Sequence, residues 1–154
     1  MIAKDKESII TRALDSTKGI FDIYCLADTG STDRTVEMFK SWCHKNKVTC
    51  QVHQGQLVKD YRAVYPNGKP TLGDFAKARN KSFELAKKAK ADYAFWLDTD
   101  DVIDKPENIR KVATFMSKNK VGGAVMVYDY AGDTQIKVVT QRRERLLDLN
   151  LRGE

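Results

Sequence analysis

Strand-like segments alternate with helix-like segments along most of this chain. The strand-like segments are FDIYCLA (21–27), VTCQVHQ (48–54), ADYAFWLD (91–98) and GGAVMVYDYA (122–131). Continuous apolarity suits a strand covered on both faces, and strands that alternate with helices form parallel sheets. The sequence therefore predicts an α/β fold, with an open, mostly parallel sheet and helices on both faces.

Helical periodicity marks the segments between these strands. The predicted helices cover residues 6–19, the stretch after Ser31, residues 75–90 and residues 107–119. Gly19 suits the C-terminal cap of the first helix, and Ser31 is the predicted N-cap of the second, with Asp33 in its first turn. Residues 55–74 are predicted as a long polar connection. QIKVVTQ (135–141) alternates apolar and polar residues, which indicates an antiparallel partner for 122–131.

Length and composition limit the classes of protein. At 154 residues the chain fits one domain. No apolar run approaches the roughly 18 to 20 residues that span a bilayer, and the N-terminus lacks a signal-peptide core, so a cytoplasmic location without a transmembrane segment is expected. The net charge is +6, but the lysines spread over helix faces with no aromatic-interleaved basic stripe. Specific nucleic-acid binding is therefore not expected.

Acidic residues follow two of the predicted strands. Asp28 ends the strand of 21–27, and Asp98, Asp100 and Asp101 end the strand of 91–98. If the two strands are parallel neighbours, their carboxylates meet at one rim, where ligands bind in open α/β sheets. A solvated loop is the simpler interpretation of such a cluster, and the convergence of two acidic groups favours a binding site.

The spacing of Asp98 and Asp100 suits a hard divalent cation. Two carboxylates in a turn can approach Mg²⁺ or Mn²⁺ while water and substrate phosphates complete the octahedron. Zinc prefers His or Cys, and the only histidines, His44 and His53, lie far from this turn in sequence. The predicted cofactor is therefore Mn²⁺ or Mg²⁺.

Three ordered blocks of the chain resemble family 2 glycosyltransferases. LADTGSTDRTVE resembles the signature usually written VDDGSTDGT, and DFAKARNKSFELAKKAKADYAFWLDTDD resembles the ARN helix that leads into the DxD strand. MIAKDKESI resembles the end of the first strand, commonly MIVKNEE. The blocks cover most of residues 1–104, and three in the right order are far more specific than a DxD pair alone.

The resemblance implies a GT-A fold, and residues 1–154 are expected to form a single nucleotide-sugar-binding domain. It implies a metal-dependent transfer of sugar, with inversion, from a nucleotide donor (usually a UDP-sugar) to an unknown acceptor. Carried over by position, Asp28 contacts the nucleobase and Arg79 the base or diphosphate. Asp98 approaches the ribose or the metal, and Asp100 binds the metal.

The chain also departs from the family pattern. Asp5-Lys6 stand where Asn-Glu is common, which alters nucleotide contacts or shifts them to Glu7. The first strand is nearly missing. The segment QRRERLLDLNLRGE resembles the one that precedes a Trp-Gly-Val-His-Glu-like stretch, at which a catalytic carboxylate can reside. We therefore expect the domain to be incomplete at both ends.

No catalytic base is assigned by the resemblance. Asp129 is the in-chain candidate, although a turn residue is the simpler interpretation, and Glu144 and Glu154 have no better support. A nucleotide-sugar-binding module or subunit without turnover is therefore one alternative. The other is a haloacid dehalogenase-like phosphatase, because DTDDV also fits D-x-D-x-V, with Asp98 as nucleophile and Asp100 as acid/base.

Overall fold

A parallel sheet of three strands forms the first part of the protein. The computed structural model describes residues 1–56, 62–64, 70–72, 75–130 and 139–150. The strand order is β1 (Ile2–Ala3), β2 (Ile23–Asp28) and β3 (Thr49–Gln54), with β2 in the centre. Ala3 pairs with Asp28, and Asp28 pairs with Gln54, so the three strands end side by side. The strands predicted from 21–27 and 48–54 are confirmed.

Three helices of the described residues belong to the same compact unit, which comprises Met1–Ala91 and Leu97–Pro106. They are α1 (Ile10–Asp15), α2 (Thr35–Lys45) and α3 (Phe75–Lys88). α1 packs against α2, and α3 packs against β2 and β3. The buried core joins sheet and helices through eight residues: Ala3, Ile10, Leu14, Tyr24, Leu26, Phe39, Trp42 and Cys43. Each large apolar side chain in it contributes about 1.5 to 3 kcal/mol through burial.

Two of these helices differ from their predictions. α1 is shorter than the predicted 6–19, since residues 7–9 form turns before it. The N–H groups of Lys6 and Glu7 donate to the side chains of Thr35, at the start of α2, and Asp33. Gly19 has φ +78°, but it lies in the turns after the helix and does not cap it. On α3, Phe75, Ala78 and Leu85 share one helical stripe, on which Ala78 and Leu85 are buried but Phe75 is 58% exposed. Thr71 and Asp74 have the spacing of a capping box for this helix, but Asp74 lies outside the described residues.

A second compact unit comprises Asp92–Trp96 and Glu107–Glu154. Its sheet has the order β6 (Tyr93–Phe95), β8 (Val139–Asp148) and β7 (Gly123–Tyr130), with both neighbouring pairs antiparallel. The antiparallel partner predicted for β7 is confirmed at residues 139–141, and residues 135–138 lie outside the described residues. The helix α4 (Glu107–Asn119) packs on β7 and β8 with Ile109 and Met116 buried.

Two short strands of the described residues were not predicted, whereas β6 lies within the strand predicted at 91–98. β4 (Arg62–Val64) and β5 (Pro70–Leu72) pair antiparallel within the stretch predicted as a loop. β6 was considered as a parallel neighbour of β2, but its hydrogen-bonded partner is β8. The fold remains α/β, with a parallel sheet and helices. Over the described ranges, no helix is both long enough and apolar enough to cross a membrane.

Candidate nucleotide-sugar site

Asp28 ends β2 with a carboxylate that is bound to its own turn. It accepts hydrogen bonds from the backbone N–H groups of Gly30 (3.3 Å) and Ser31 (3.2 Å), and a short one from the Ser31 hydroxyl. Gly30 has φ +102°, a conformation that favours glycine and lets the chain turn sharply. The residue is only 2% exposed. Asp28 therefore builds the turn, whatever else it binds.

A network that we call the loop junction joins the loop after β1, at Asp5–Glu7, to the loop after β2, at Ser31–Thr35. Asp5 Oδ1 accepts from the Thr32 N–H at 2.7 Å, and the Asp5 N–H donates to Ser31 Oγ at 2.9 Å. The Glu7 carboxylate accepts from the Arg34 N–H at 2.9 Å. Because the hydrogen bonds run in both directions, each loop holds the other in place.

The loop junction also sets the start of α2. Asp33 Oδ1 accepts from the Thr35 N–H at 3.0 Å and from the Thr35 hydroxyl, while Asp33 Oδ2 accepts from the Glu7 N–H. Asp33 therefore satisfies a helix N–H from just outside the helix. The prediction of Ser31 as N-cap was wrong, because its hydroxyl is used by Asp28 and Asp5. Asp33 likewise precedes the first turn instead of lying in it.

Charges in the loop junction are stabilised by these bonds. Backbone hydrogen bonding from Thr32, followed by the hydrogen bond from Lys4, lowers the pKa of Asp5 to about 2. Desolvation acts in the opposite direction at Asp33, but hydrogen bonds from Thr35 and Glu7 lower its pKa overall. The sequence predicted that nucleotide contacts at Asp5-Lys6 are altered or are shifted to Glu7. In the structure, both acidic residues bind the neighbouring loop.

The acidic turn, residues 98–101, carries the other predicted carboxylates. It is closed by the Asp101 N–H, which donates to the Asp98 carbonyl at 3.2 Å, and it buries the side chain of Thr99. Arg79 on α3 forms an ion pair with Asp98, with 3.8 Å between Nη2 and Oδ1. Both side chains are partly exposed, at 27% and 35%. The structure thus places an arginine and the acidic turn together, although they are about twenty residues apart in sequence.

Arg12 contacts the same turn and was not predicted as a site residue. Its Nη2 donates to the main-chain carbonyl of Asp100 at 3.0 Å. The only signal in the sequence is its position on the polar side of α1, opposite Ile10 and Leu14. That signal does not specify a partner 88 residues away.

The carboxylates of the acidic turn suit a hard cation that substrate and water also bind, and not a metal centre held by protein ligands alone. Within the described ranges, no group of three or more His, Cys, Asp or Glu side chains is arranged to hold a metal ion. Asp98 and Asp100 offer oxygen ligands only, which suits Mg²⁺ or Mn²⁺ in a site where substrate phosphates and water supply the other ligands. Asp98 would share its carboxylate with Arg79 in that case.

The candidate bases lie in the second unit. Asp129 is exposed on β7 and accepts a hydrogen bond from Thr140 Oγ1 across the strand pair at 2.8 Å. Glu144 is exposed on β8, opposite Val125. Glu154 lies outside the described residues. These positions leave the catalytic base unassigned.

A parallel sheet with flanking helices and an acidic turn beside an arginine defines the class of this protein as a GT-A fold. The family model "Glycosyl transferase family 2" matches residues 1–152. The chain therefore belongs to glycosyl transferase family 2.

Solved structures of S. aureus TarS share the fold. TarS 1-349 in complex with UDP-GlcNAc aligns at a TM-score of 0.58 and 21% identity over 90% of this chain and 35% of that chain. The complex with UDP aligns at 0.57 and 18% identity, over 90% and 36%. The chain thus spans little more than a third of the length of these TarS chains. No curated protein sequence matches it.

Proposed function

We propose that this chain binds a UDP-sugar and transfers the sugar, with inversion and with the help of Mn²⁺ or Mg²⁺, to an acceptor hydroxyl. The observation that carries the proposal is the pairing of Arg79 with Asp98 in a family 2 glycosyltransferase. The arginine can bind the diphosphate of a nucleotide donor directly, and the acidic turn can bind it through a divalent ion. TarS, which shares the fold, was crystallised with UDP and with UDP-GlcNAc.

Arg79 is proposed to bind the diphosphate. The ion pair with Asp98 is loose, at 3.8 Å, so the guanidinium can turn to phosphate oxygens without leaving a buried charge unpaired. A planar guanidinium binds phosphate through two parallel N–H groups. As the sugar departs, negative charge grows on the leaving diphosphate, and an arginine already in place stabilises it.

Asp98 and Asp100 are proposed to hold the divalent ion. When bound, the ion neutralises charge on the diphosphate and so favours its departure. The protein's part is to keep two carboxylates in one turn, through the bond between Asp101 and Asp98 and through Arg12. Asp98 can in addition contact the ribose.

Asp28 is proposed to contact the nucleobase from the buried end of β2. A carboxylate offers about four acceptor positions, and three donors of its own turn already contact it. The remaining capacity suits an N–H donor, which uracil provides. The loop junction would fix the position of Asp28 before the ligand arrives, which reduces the entropic cost of binding.

Binding without turnover is the second candidate function. It is favoured by the environment of Asp129, whose carboxylate is engaged by Thr140 on an exposed strand pair. Membership of glycosyl transferase family 2 argues against the phosphatase alternative.

The test is to incubate the purified chain with UDP-GlcNAc and other UDP-sugars, Mn²⁺ and a panel of acceptors, and to measure UDP release. Acceptor-dependent release that EDTA abolishes supports a transferase, and the anomeric configuration of the product, read by NMR, tests inversion. Binding of the donor without release supports the binding module. If no UDP-sugar or UDP binds in the presence of Mn²⁺, both candidates are wrong.

A further inference from the structure

Arg12 joins the first helix to the acidic turn across 88 residues of sequence. The bond reaches the main-chain carbonyl of Asp100 at 3.0 Å and does not use the carboxylate of that residue. It therefore fixes the peptide between Asp100 and Asp101 while the side chain of Asp100 stays available to a ligand. A second bond within the turn, from the Asp101 N–H to the Asp98 carbonyl, completes the support.

The helix that carries Arg12 is itself firmly held. α1 has only six residues, too few to be stable in isolation, so its geometry depends on packing. Ile10, Ala13 and Leu14 are fully buried, and Asp15 accepts a hydrogen bond from Trp42 Nε1 at 2.7 Å. Arg12 thus extends toward the turn from a fixed base, although its own side chain is exposed.

The charge of Arg12 reduces repulsion among the carboxylates of the turn but also repels a bound cation, so its positioning role rests on its geometry. Asp98, Asp100 and Asp101 are acidic residues within four positions, and their like charges repel one another. A guanidinium at the turn reduces that repulsion while it holds the backbone. An arrangement of two carboxylates suitable for a divalent ion is then present before the ion binds.

We propose that Arg12 is a positioning residue, which orients the acidic turn for metal-dependent binding of the nucleoside diphosphate. This inference rests on the proposed function. Arg12 acts through Asp100 in this role and does not itself contact the donor.

The test is a titration of Mn²⁺ at fixed UDP on the full chain, read as UDP binding, for wild type, Arg12→Ala and Arg12→Lys. Loss of one charge-assisted hydrogen bond at an exposed site should raise the Mn²⁺ midpoint of Arg12→Ala about fivefold. The UDP affinity should recover toward that of wild type at saturating Mn²⁺. Arg12→Lys should restore part of the loss, because an ammonium on a long stem can still donate to the carbonyl.

Lys40→Gln is the matched control, since it removes one positive charge from an exposed position on α2 and should leave the Mn²⁺ midpoint unchanged. Melting curves of each variant check the fold, and Arg12→Lys carries the test if Arg12→Ala does not fold.

Three results would overturn the inference. If both Arg12 variants keep the wild-type midpoint, Arg12 does not position the turn. If they lose UDP affinity equally at every Mn²⁺ concentration, Arg12 contacts the nucleotide directly. If wild type itself shows no Mn²⁺-dependent UDP binding, the proposed function fails, and the role of Arg12 with it.

Discussion

Replacing Asp28 tests whether the end of β2 is a structural turn as well as a ligand site. Its carboxylate is buried and receives two backbone N–H groups and one hydroxyl. A hydrogen bond to a charged group contributes about 1.5 to 3 kcal/mol, but the two N–H bonds are long and the Ser31 hydroxyl can find water. We therefore expect Asp28→Ala to lower the free energy of unfolding by about 2 to 4 kcal/mol, and Asp28→Asn by about half of that.

The assay is urea unfolding of the ligand-free chain followed by circular dichroism, with a thermal melt as a second measure. For a chain of this size, the expected loss corresponds to a fall in melting temperature of roughly 5 to 15 °C. Asp104→Asn is the control, because Asp104 is an acid in the same unit that is 90% exposed. If the free energy of unfolding of Asp28→Ala lies within about 0.5 kcal/mol of the wild-type value, the carboxylate does not hold the turn and the reasoning is wrong.

Three other predictions concern the site and the loop junction. Asp100→Ala should weaken metal-dependent UDP binding with a melting temperature within about 2 °C of wild type, since the side chain is exposed; a large fall in melting temperature with unchanged affinity would make it structural. Arg79→Ala should weaken UDP binding roughly tenfold, as expected for a lost charge-assisted contact, and Arg79→Lys should restore only part, because lysine lacks the planar fork; isothermal titration distinguishes this from a pure charge effect, for which rescue would be complete. Because the pKa of Asp5 is lowered to about 2 from 3.8, its contribution to stability should be full above pH 4 and lost as pH falls toward 2. Asp5→Asn should make the free energy of unfolding less dependent on pH as pH falls from about 4 toward 2. An unchanged pH profile would contradict the assigned bond to Thr32.

Local sequence patterns predicted the strands and helices whose residues face one core. β2 and α2 are examples, because β2 is a continuous apolar run with Leu26 buried, and α2 places Phe39 and Cys43 on one buried face. The same reasoning failed at residues 6–9 and at Ser31. There the hydrogen-bond partners are 26 to 29 residues away, in the loop before α2 and at the first residue of that helix, and no local pattern shows such contacts.

Residues of the candidate site could be proposed from the sequence more readily than their contacts. The resemblance to family 2 glycosyltransferases named Arg79 and Asp98, and the structure places them 3.8 Å apart. Arg12 was not predicted because it contacts a main-chain oxygen, and such a contact does not depend on which side chains the turn carries. The partner of β6 was also missed, since strand order depends on packing of whole elements and not on the strand's own residues.

The central claim is metal-dependent binding of a uridine nucleotide at the acidic turn, and isothermal titration of UDP into the chain with and without Mn²⁺ tests it most directly. Wild type should bind UDP with Mn²⁺ and lose most of that affinity in EDTA, Asp100→Asn should lose it with Mn²⁺ present, and the neighbouring exposed variant Asp104→Asn should bind as wild type does. Equal heats with and without Mn²⁺, or equal losses in Asp100→Asn and Asp104→Asn, would contradict the account.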